Sequence, residues 1–231
     1  MKKIRSILLG MDALLLLVAA GSLAETMICR FTGERESAQI AVMETGTAKK
    51  IALTFDDGPN PEYTEPLLAG LKERGVSATF FLLGKAVEMY PDIAADIAKD
   101  GHLIGTHAYE HVDLSRLSEA DAVSQITKAN DAIREATGIS PQYIRPPYGC
   151  SQCGLDRKMT MIEVLWDVDP RDWDTHSADR VAAMVTQHVR ENDIILMHDA
   201  SESSVQAALQ IIDILQKQGY IFVTVDDILF E

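Results

Sequence analysis

Carboxylates and imidazoles occur in this chain at spacings that suit metal-assisted hydrolysis. Asp56 and Asp57 are adjacent and precede Gly58-Pro59, while His107 and His111 stand four residues apart. Neighbouring carboxylates raise the cost of ionising both, and a bound cation removes that cost. Two imidazoles at this spacing fall on one side of a helical turn. Asp57 and the two histidines therefore form a candidate metal site, a ligand set that suits zinc and leaves positions open for water and substrate.

Further polar clusters follow at three later points of the chain, each after a short apolar or β-rich run. They are Arg145-Pro146-Pro147-Tyr148-Gly149, the stretch that contains Asp169, Asp172 and Trp173, and His198-Asp199. In α/β barrels the reactive side chains collect on the loops that follow the carboxyl ends of the strands. The clusters are therefore expected to meet at one face of the domain.

Apolar runs alternate with helical patterns along the chain from residue 51 to residue 223. The runs predict strands at 51–55, 79–83, 102–106, 143–144, 164–168, 194–197 and 221–223. The helical patterns cover 64–74, 93–99, 178–188, 205–215 and a longer helix between Ser118, which resembles a capping-box residue, and Gly138. About seven strands alternating with helices imply a parallel sheet covered by helices.

Five of these segments, in order, resemble the motifs of the polysaccharide deacetylases, the NodB-like domain of carbohydrate esterase family four. The segments are 54–59, 107–111, 145–149, 169–173 and 196–198. The resemblance covers residues 50–231 and implies an α/β fold, a distorted (β/α) barrel of about seven parallel strands in a single domain. It also implies hydrolysis of acetyl groups on N-acetylglucosamine polymers or acetylated xylan, with a divalent metal.

The resemblance assigns a role to each matching residue. Asp57, His107 and His111 match the metal ligands, with zinc the expected ion and cobalt or nickel as alternatives. Asp56 matches the general base and His198 the general acid. The remaining matches are Arg145, which orients the base; Asp172, which holds the acid; Tyr148, whose backbone N–H meets the oxyanion; and Pro146, Tyr148, Trp173 and Leu196, which contact the substrate.

Length and charge limit the other classes of function. The chain has 231 residues, room for one domain with an appendage, and a net charge of −14 from 35 acidic and 21 basic residues. Such a charge repels phosphate backbones, so no nucleic-acid partner is expected. Three cysteines are too few for a disulfide-built scaffold.

The amino terminus has the pattern of an export signal. Lys2, Lys3 and Arg5 precede an apolar stretch, and small residues flank Leu23 at a cleavage-like site. Residues 1–24 are therefore predicted to be a signal peptide or an uncleaved membrane anchor, residues 25–49 a linker, and residues 50–231 the domain. An extracytoplasmic location follows from either alternative, whereas the oligomeric state is left open.

Two departures from the family pattern lie in or next to the motif segments. Ala108 stands where the family usually has Ser or Thr, which removes a hydroxyl that would help to fix the loop. Cys150 and Cys153 interrupt the segment after Tyr148-Gly149, and outside the cytoplasm they could form a disulfide, bind metal as thiols or stay reduced.

The substrate is expected to be an N-acetylated glycan, with cell-wall peptidoglycan favoured over chitooligosaccharide because an exported domain meets wall polymer first. An acetylxylan O-acetyl esterase and a catalytically silent glycan-binding domain are the alternatives.

Overall fold

The computed structural model of the chain describes residues 48–151 and 159–230. The predicted signal segment, nearly all of the predicted linker and Cys153 lie outside these residues. Within the described ranges no helix combines the length and apolarity needed to cross a bilayer.

The centre of the domain is a sheet of seven parallel strands, which confirms the predicted α/β architecture. The strands are β1 (Lys49–Asp56), β2 (Thr79–Leu82), β3 (Leu103–Thr106), β4 (Tyr143–Ile144), β5 (Ile162–Glu163), β6 (Ile194–His198) and β7 (Tyr220–Val223). Their order is β5-β4-β3-β2-β1-β6, and β7 pairs with the start of β1. Strand β1 begins at Lys49, the last residue of the predicted linker.

The described part of the chain has seven α-helices, six that lie between strands in the chain order and one that follows β7. They are α1 (Thr64–Glu73), α2 (Gly84–Met89), α3 (Pro91–Lys99), α4 (Glu119–Thr137), α5 (Ala178–His188), α6 (Glu202–Lys217) and α7 (Val225–Leu229). Helix α4 begins as predicted, because the Ser118 side chain accepts a hydrogen bond from the Asp121 N–H, and it ends at Gly138 in the left-handed region. The short helices α2 and α7 were not predicted from the sequence.

Both faces of β1 are buried, which explains its continuous apolar run. Ile51, Leu53 and Phe55 belong to the larger core cluster, which includes residues of α1, α3 and α6. Ala52 lies in a smaller cluster with residues such as Phe81. A strand buried on both sides holds its last residue, the acid Asp56, at a fixed place at the edge of the sheet.

The prediction of a strand at residues 164–168 is wrong. Strand β5 is Ile162–Glu163, and of the predicted run only Val168 forms a bridge, with Ile195. The carbonyls of Val164 and Leu165 instead accept hydrogen bonds from the guanidinium of Arg145, at 3.1 and 2.9 Å. The run still contacts its neighbours at its two ends, where the Val164 N–H donates to the Ile144 carbonyl and the Leu196 N–H donates to the Val168 carbonyl, but the carbonyls of Val164 and Leu165 bind a buried side chain instead of a strand.

Candidate active site

The reactive residues converge where β1, β3 and β6 end. Asp56 is the last residue of β1, and its neighbour across the sheet in β6 is His198. His107 follows the end of β3, and its N–H donates to the Leu82 carbonyl at 2.8 Å. The sheet thus brings together side chains that lie more than 140 residues apart in the sequence.

Asp57, His107 and His111 form a compact cluster of potential metal ligands. Oδ1 of Asp57 lies 3.6 Å from Nε2 of His107 and 3.7 Å from Nε2 of His111. One potential ligand atom from each residue lies within 4.8 Å of the others. The side chain of Asp57 reaches this point from a left-handed backbone, with φ of 77°.

The two histidines converge as predicted, but the predicted helical turn between them is wrong. Residues 107–111 form a bent loop rather than a helical turn, and Ala108 has φ of 67°. The two imidazole centroids lie 5.2 Å apart. Ala108 is fully buried in a cluster with Leu114 and accepts a hydrogen bond from the Gly84 N–H, so methyl packing and a backbone contact fix this loop.

His107 is held in one tautomer by the backbone. Its Nδ1 lies 2.6 Å from the Arg145 carbonyl, so Nδ1 donates and Nε2 keeps its lone pair. Burial lowers the pKa of His107, against the opposing effect of Asp56 and Asp57. A neutral imidazole with a lone pair at Nε2 is the form that binds metals.

The donor set fits a divalent cation. Oδ1 of Asp57 is buried and has no hydrogen-bond partner among the described residues, although a carboxylate oxygen that is buried normally has one. Tetrahedral zinc with ligands at about 2.0 Å sets ligand atoms roughly 3.3 Å apart, close to the separations at Asp57. A cation would supply the partner that this oxygen lacks.

A buried arginine fixes the second acid. Nη1 of Arg145 donates to Oδ1 of Asp56 at 2.9 Å and to the Thr54 hydroxyl at 2.6 Å. Arg145 is fully buried, and its guanidinium lies over the ring of Phe81. With Oδ1 engaged, Oδ2 of Asp56, which lies 3.8 Å from Nε2 of His107, is the oxygen left on the side of the cluster.

Asp172 binds His198 at two points. Nδ1 of the imidazole lies 2.9 Å from Oδ1 of Asp172, and the backbone N–H donates to Oδ2 at 2.9 Å. Burial opposes the charge on the imidazole, but the hydrogen bond and charge of Asp172, helped by Asp56 and Asp57, raise the pKa of His198 to about 9. His198 is therefore protonated at neutral pH.

A cavity of about 470 Å³ joins these groups. The predicted residues Pro146, Tyr148, Trp173 and Leu196 line it together with Asp56, Asp57, His107, His111 and His198. Trp173 is 54% exposed and forms part of the rim, whereas Leu196 is buried. Arg145 and Asp172 do not line the cavity, and each contacts a residue that does.

The sequence did not single out two residues of the cavity wall, Trp166 and Ala200. Trp166 lies within the run that was assigned to a strand, and a Cβ at Gly149 of the third motif segment would lie 3.1 Å from its ring. An aromatic residue three positions before Asp169, at the start of a motif segment, was the available signal. His102, which matched no motif, accepts a hydrogen bond from the Ala78 N–H and is structural.

Fold and site together define an α/β domain whose acid, imidazole and candidate metal cluster share one cavity, the layout of a hydrolase. The family model for polysaccharide deacetylase matches residues 43–161, about half of the chain. The chain belongs to the polysaccharide deacetylase family.

Two curated proteins show the extent of the similarity. The peptidoglycan-N-acetylmuramic acid deacetylase PdaC of Bacillus subtilis is 41% identical over 180 residues, which are 78% of this chain and 38% of PdaC. The peptidoglycan-N-acetylglucosamine deacetylase PgdA of Listeria monocytogenes is 35% identical over 187 residues, 81% of this chain and 40% of PgdA. The chain thus matches well under half of the length of these relatives.

A solved structure of PdaC from Bacillus subtilis superposes with a TM-score of 0.77 at 40% identity, and covers 79% of this chain and 91% of that one. The parallel-strand fold of the family is therefore the fold of this domain.

Proposed function

We propose that this protein is a metal-dependent deacetylase that hydrolyses N-acetyl groups of a glycan, with peptidoglycan as the polymer. One observation carries the proposal: Asp56 and the protonated His198 line the same cavity as the Asp57–His107–His111 cluster. Amide hydrolysis needs a base for the attacking water and an acid for the leaving amine, and this cavity offers both.

Asp57, His107 and His111 would hold the cation. A bound divalent ion lowers the pKa of a water and polarises the acetyl carbonyl. Zinc is the expected ion because the set joins two imidazoles with one carboxylate, and cobalt or nickel accept the same donors.

Asp56 would act as the general base. Arg145 occupies Oδ1, so Oδ2 accepts the proton of the water as its oxygen attacks the acetyl carbon. The same contact fixes the orientation of the carboxylate before substrate arrives. The backbone N–H of Tyr148, whose residue has φ of 61°, is the proposed donor to the oxyanion.

His198 would act as the general acid. Asp172 engages Nδ1, so Nε2 is the atom that delivers a proton to the amine nitrogen as the carbon–nitrogen bond breaks. The products are acetate and a glycan with a free amine. Leu196 and Trp173 contribute apolar surface suited to the acetyl methyl group.

The choice of peptidoglycan rests on the relatives named above, which act on N-acetylmuramic acid or N-acetylglucosamine of that polymer. The predicted export signal supports it, since an extracytoplasmic enzyme meets this polymer first. Chitooligosaccharide is the lesser alternative, and a chitooligosaccharide deacetylase of Bradyrhizobium is among the matching proteins.

The test is acetate release by the full chain, loaded with zinc, from peptidoglycan, N-acetylglucosamine oligomers and acetylxylan. We expect acetate and new free amines from the first two substrates, and no turnover by Asp56→Asn. Release from acetylxylan alone would make the protein an O-acetyl esterase. Glycan binding without acetate from any substrate, unchanged in Asp56→Asn, would make it a silent binding domain.

A further inference from the structure

A second cavity of about 500 Å³ adjoins the candidate active site. It is lined by His111, Val112, Asp113, Arg116, Leu117 and Tyr148. His111 and Tyr148 line both cavities, and the edge of one ring faces the other with centroids 4.5 Å apart. When one sugar of a polymer lies at the metal cluster, the second cavity therefore offers a position for the next sugar, beyond His111 and Tyr148.

Arg116 is the one lysine or arginine among the residues that line either cavity. Of the arginines in the described part of the chain, Arg74, Arg134, Arg145 and Arg171 each contact a carboxylate. No described carboxylate lies within salt-bridge distance of Arg116, which is exposed. Its guanidinium donors are therefore available to a ligand.

The neighbouring acid of the groove is already engaged. Oδ1 of Asp113 accepts hydrogen bonds from the N–H and the hydroxyl of Ser115, at 3.0 and 2.6 Å. These bonds cap the 3₁₀ turn Leu114–Arg116, and Leu114 anchors that turn in the core. Arg116 therefore belongs to a well-anchored turn, and the Asp113 carboxylate stabilises that turn through its hydrogen bonds to Ser115.

The rest of the groove suits a sugar. Val112 and Leu117 are partly buried against the cluster that contains Leu114, so they form a firm apolar floor. Tyr148 is 64% exposed and presents its ring at the boundary of the two cavities. An apolar floor, an aromatic ring and one cation together match a sugar that carries both apolar and anionic groups.

We propose that this groove is a glycan subsite in which Arg116 binds the carboxylate of a sugar next to the one that is deacetylated. The proposal rests on the proposed function and narrows its substrate to glycans with carboxylate-bearing units, such as sugars with a lactyl ether. A guanidinium can bind a carboxylate through two parallel hydrogen bonds. A neutral N-acetylglucosamine oligomer has no group for this contact.

The charge of the protein makes such a contact valuable. The chain carries a net charge of −14, which opposes an anionic polymer at long range. A single cation beside the active site offsets that repulsion locally and selects the register in which the polymer binds.

The test compares two forms of one glycan on the zinc-loaded full chain. The first is peptide-free strands of N-acetylglucosamine and N-acetylmuramic acid with free lactyl carboxylates. The second is the same strands with those carboxylates converted to amides. We expect Arg116→Gln to lower kcat/KM about tenfold on the charged strands, the low end for hydrogen bonds to a charged group, and to leave the amidated strands unchanged.

Arg180→Gln is the matched control. Arg180 is also exposed and without a described carboxylate partner, but it lies in α5 and lines neither cavity. The Arg180→Gln substitution removes the same charge from the protein, and we expect no change in kcat/KM on either substrate. An equal loss in both variants, or an equal loss on both substrates, would overturn the subsite.

Equilibrium binding of both strand forms to wild type and Arg116→Gln separates this proposal from the proposed function. Charge-selective binding that disappears in Arg116→Gln, without acetate release by wild type, supports the subsite and overturns the deacetylase assignment. Acetate release by wild type, with equal binding of both strand forms, supports the deacetylase assignment and overturns the subsite.

Discussion

Asp172 holds His198 by its ring and by its backbone at once, with Nδ1 2.9 Å from one carboxylate oxygen and the amide nitrogen 2.9 Å from the other. Asp172 is 1% exposed, so its carboxylate is shielded from water, whereas the imidazole lines the cavity. This arrangement fixes the imidazole and favours its charged form, which is the form a general acid needs.

We expect the pH dependence of kcat to report this pair. His198 has a pKa of about 9, so activity should fall as the pH rises through that value and the imidazole loses its proton. Asp172→Asn removes the negative partner and should move this alkaline limb down by about one to three pH units. A pH–rate profile of both proteins measures the limb, and an unmoved limb in the variant would exclude His198 as the acid.

The same pair should appear in the pH dependence of stability. The pKa of His198 is raised on folding, so its contribution to the free energy of unfolding is complete below about 6.5 and is lost as the pH rises through about 9. Urea unfolding of wild type and Asp172→Asn at pH 6 and pH 10 measures it. The difference in stability between the two proteins should be larger at pH 6, and a constant difference would contradict the linkage.

Metal content should separate the roles of the two histidines on either side of the cavity. His107→Ala removes a ligand, so it should lower both bound zinc and the rate. His198→Ala should keep its zinc and lose about 10²- to 10⁴-fold in rate, the usual contribution of a proton-transfer group. Elemental analysis of the purified proteins checks this, and wild-type zinc content in His107→Ala would refute the ligand assignment.

Removal of one partner of the buried Arg145–Asp56 pair should strongly destabilise the protein. Arg145→Met leaves the Asp56 carboxylate buried without its cation, and we expect the free energy of unfolding to fall by about 3–5 kcal/mol. Arg134→Gln is the control, because Arg134 and Asp131 form an exposed pair whose loss should cost about 1 kcal/mol or less. Urea titration of both variants gives the comparison, and equal losses would argue against an unpaired buried charge.

Gly58 and Asp199 should be energetically coupled. A Cβ at Gly58 would lie 2.5 Å from Oδ2 of Asp199, an acid that is 1% exposed and accepts a hydrogen bond from the Thr64 hydroxyl. Gly58→Ala should therefore destabilise the protein by about 1–3 kcal/mol through overpacking.

Asp199→Ala removes the atoms that meet this Cβ. The double variant should then be more stable than the sum of the two single changes predicts, by about 1 kcal/mol. Unfolding of wild type, the two single variants and the double variant forms a double-mutant cycle. If the losses of stability are additive in this cycle, the two residues are not coupled and the loop after β1 accommodates the added Cβ by moving away from Asp199.

Much of the fold followed from local patterns. Continuous apolar runs predicted the buried parallel strands, as in β1, because both faces of such strands are covered. Ser118 and Gly138 marked the ends of α4 because capping depends on chemistry within one turn. The prediction of a strand at 164–168 failed because the carbonyls of Val164 and Leu165 bind Arg145, a side chain about 20 residues earlier that no local pattern reveals.

The candidate ligands and the acid–base residues could be picked from the sequence because their types, their spacing and the order of five motif segments are all properties of the chain itself. The tertiary structure decided how they meet. It placed the two histidines on a bent loop rather than a helix and left one oxygen of Asp57 without a described partner. It also set Arg116 in the adjoining cavity with no described carboxylate within salt-bridge distance. These features depend on packing between distant segments, which sets the distances, the burial and the vacant hydrogen-bonding positions on which binding and proton transfer depend.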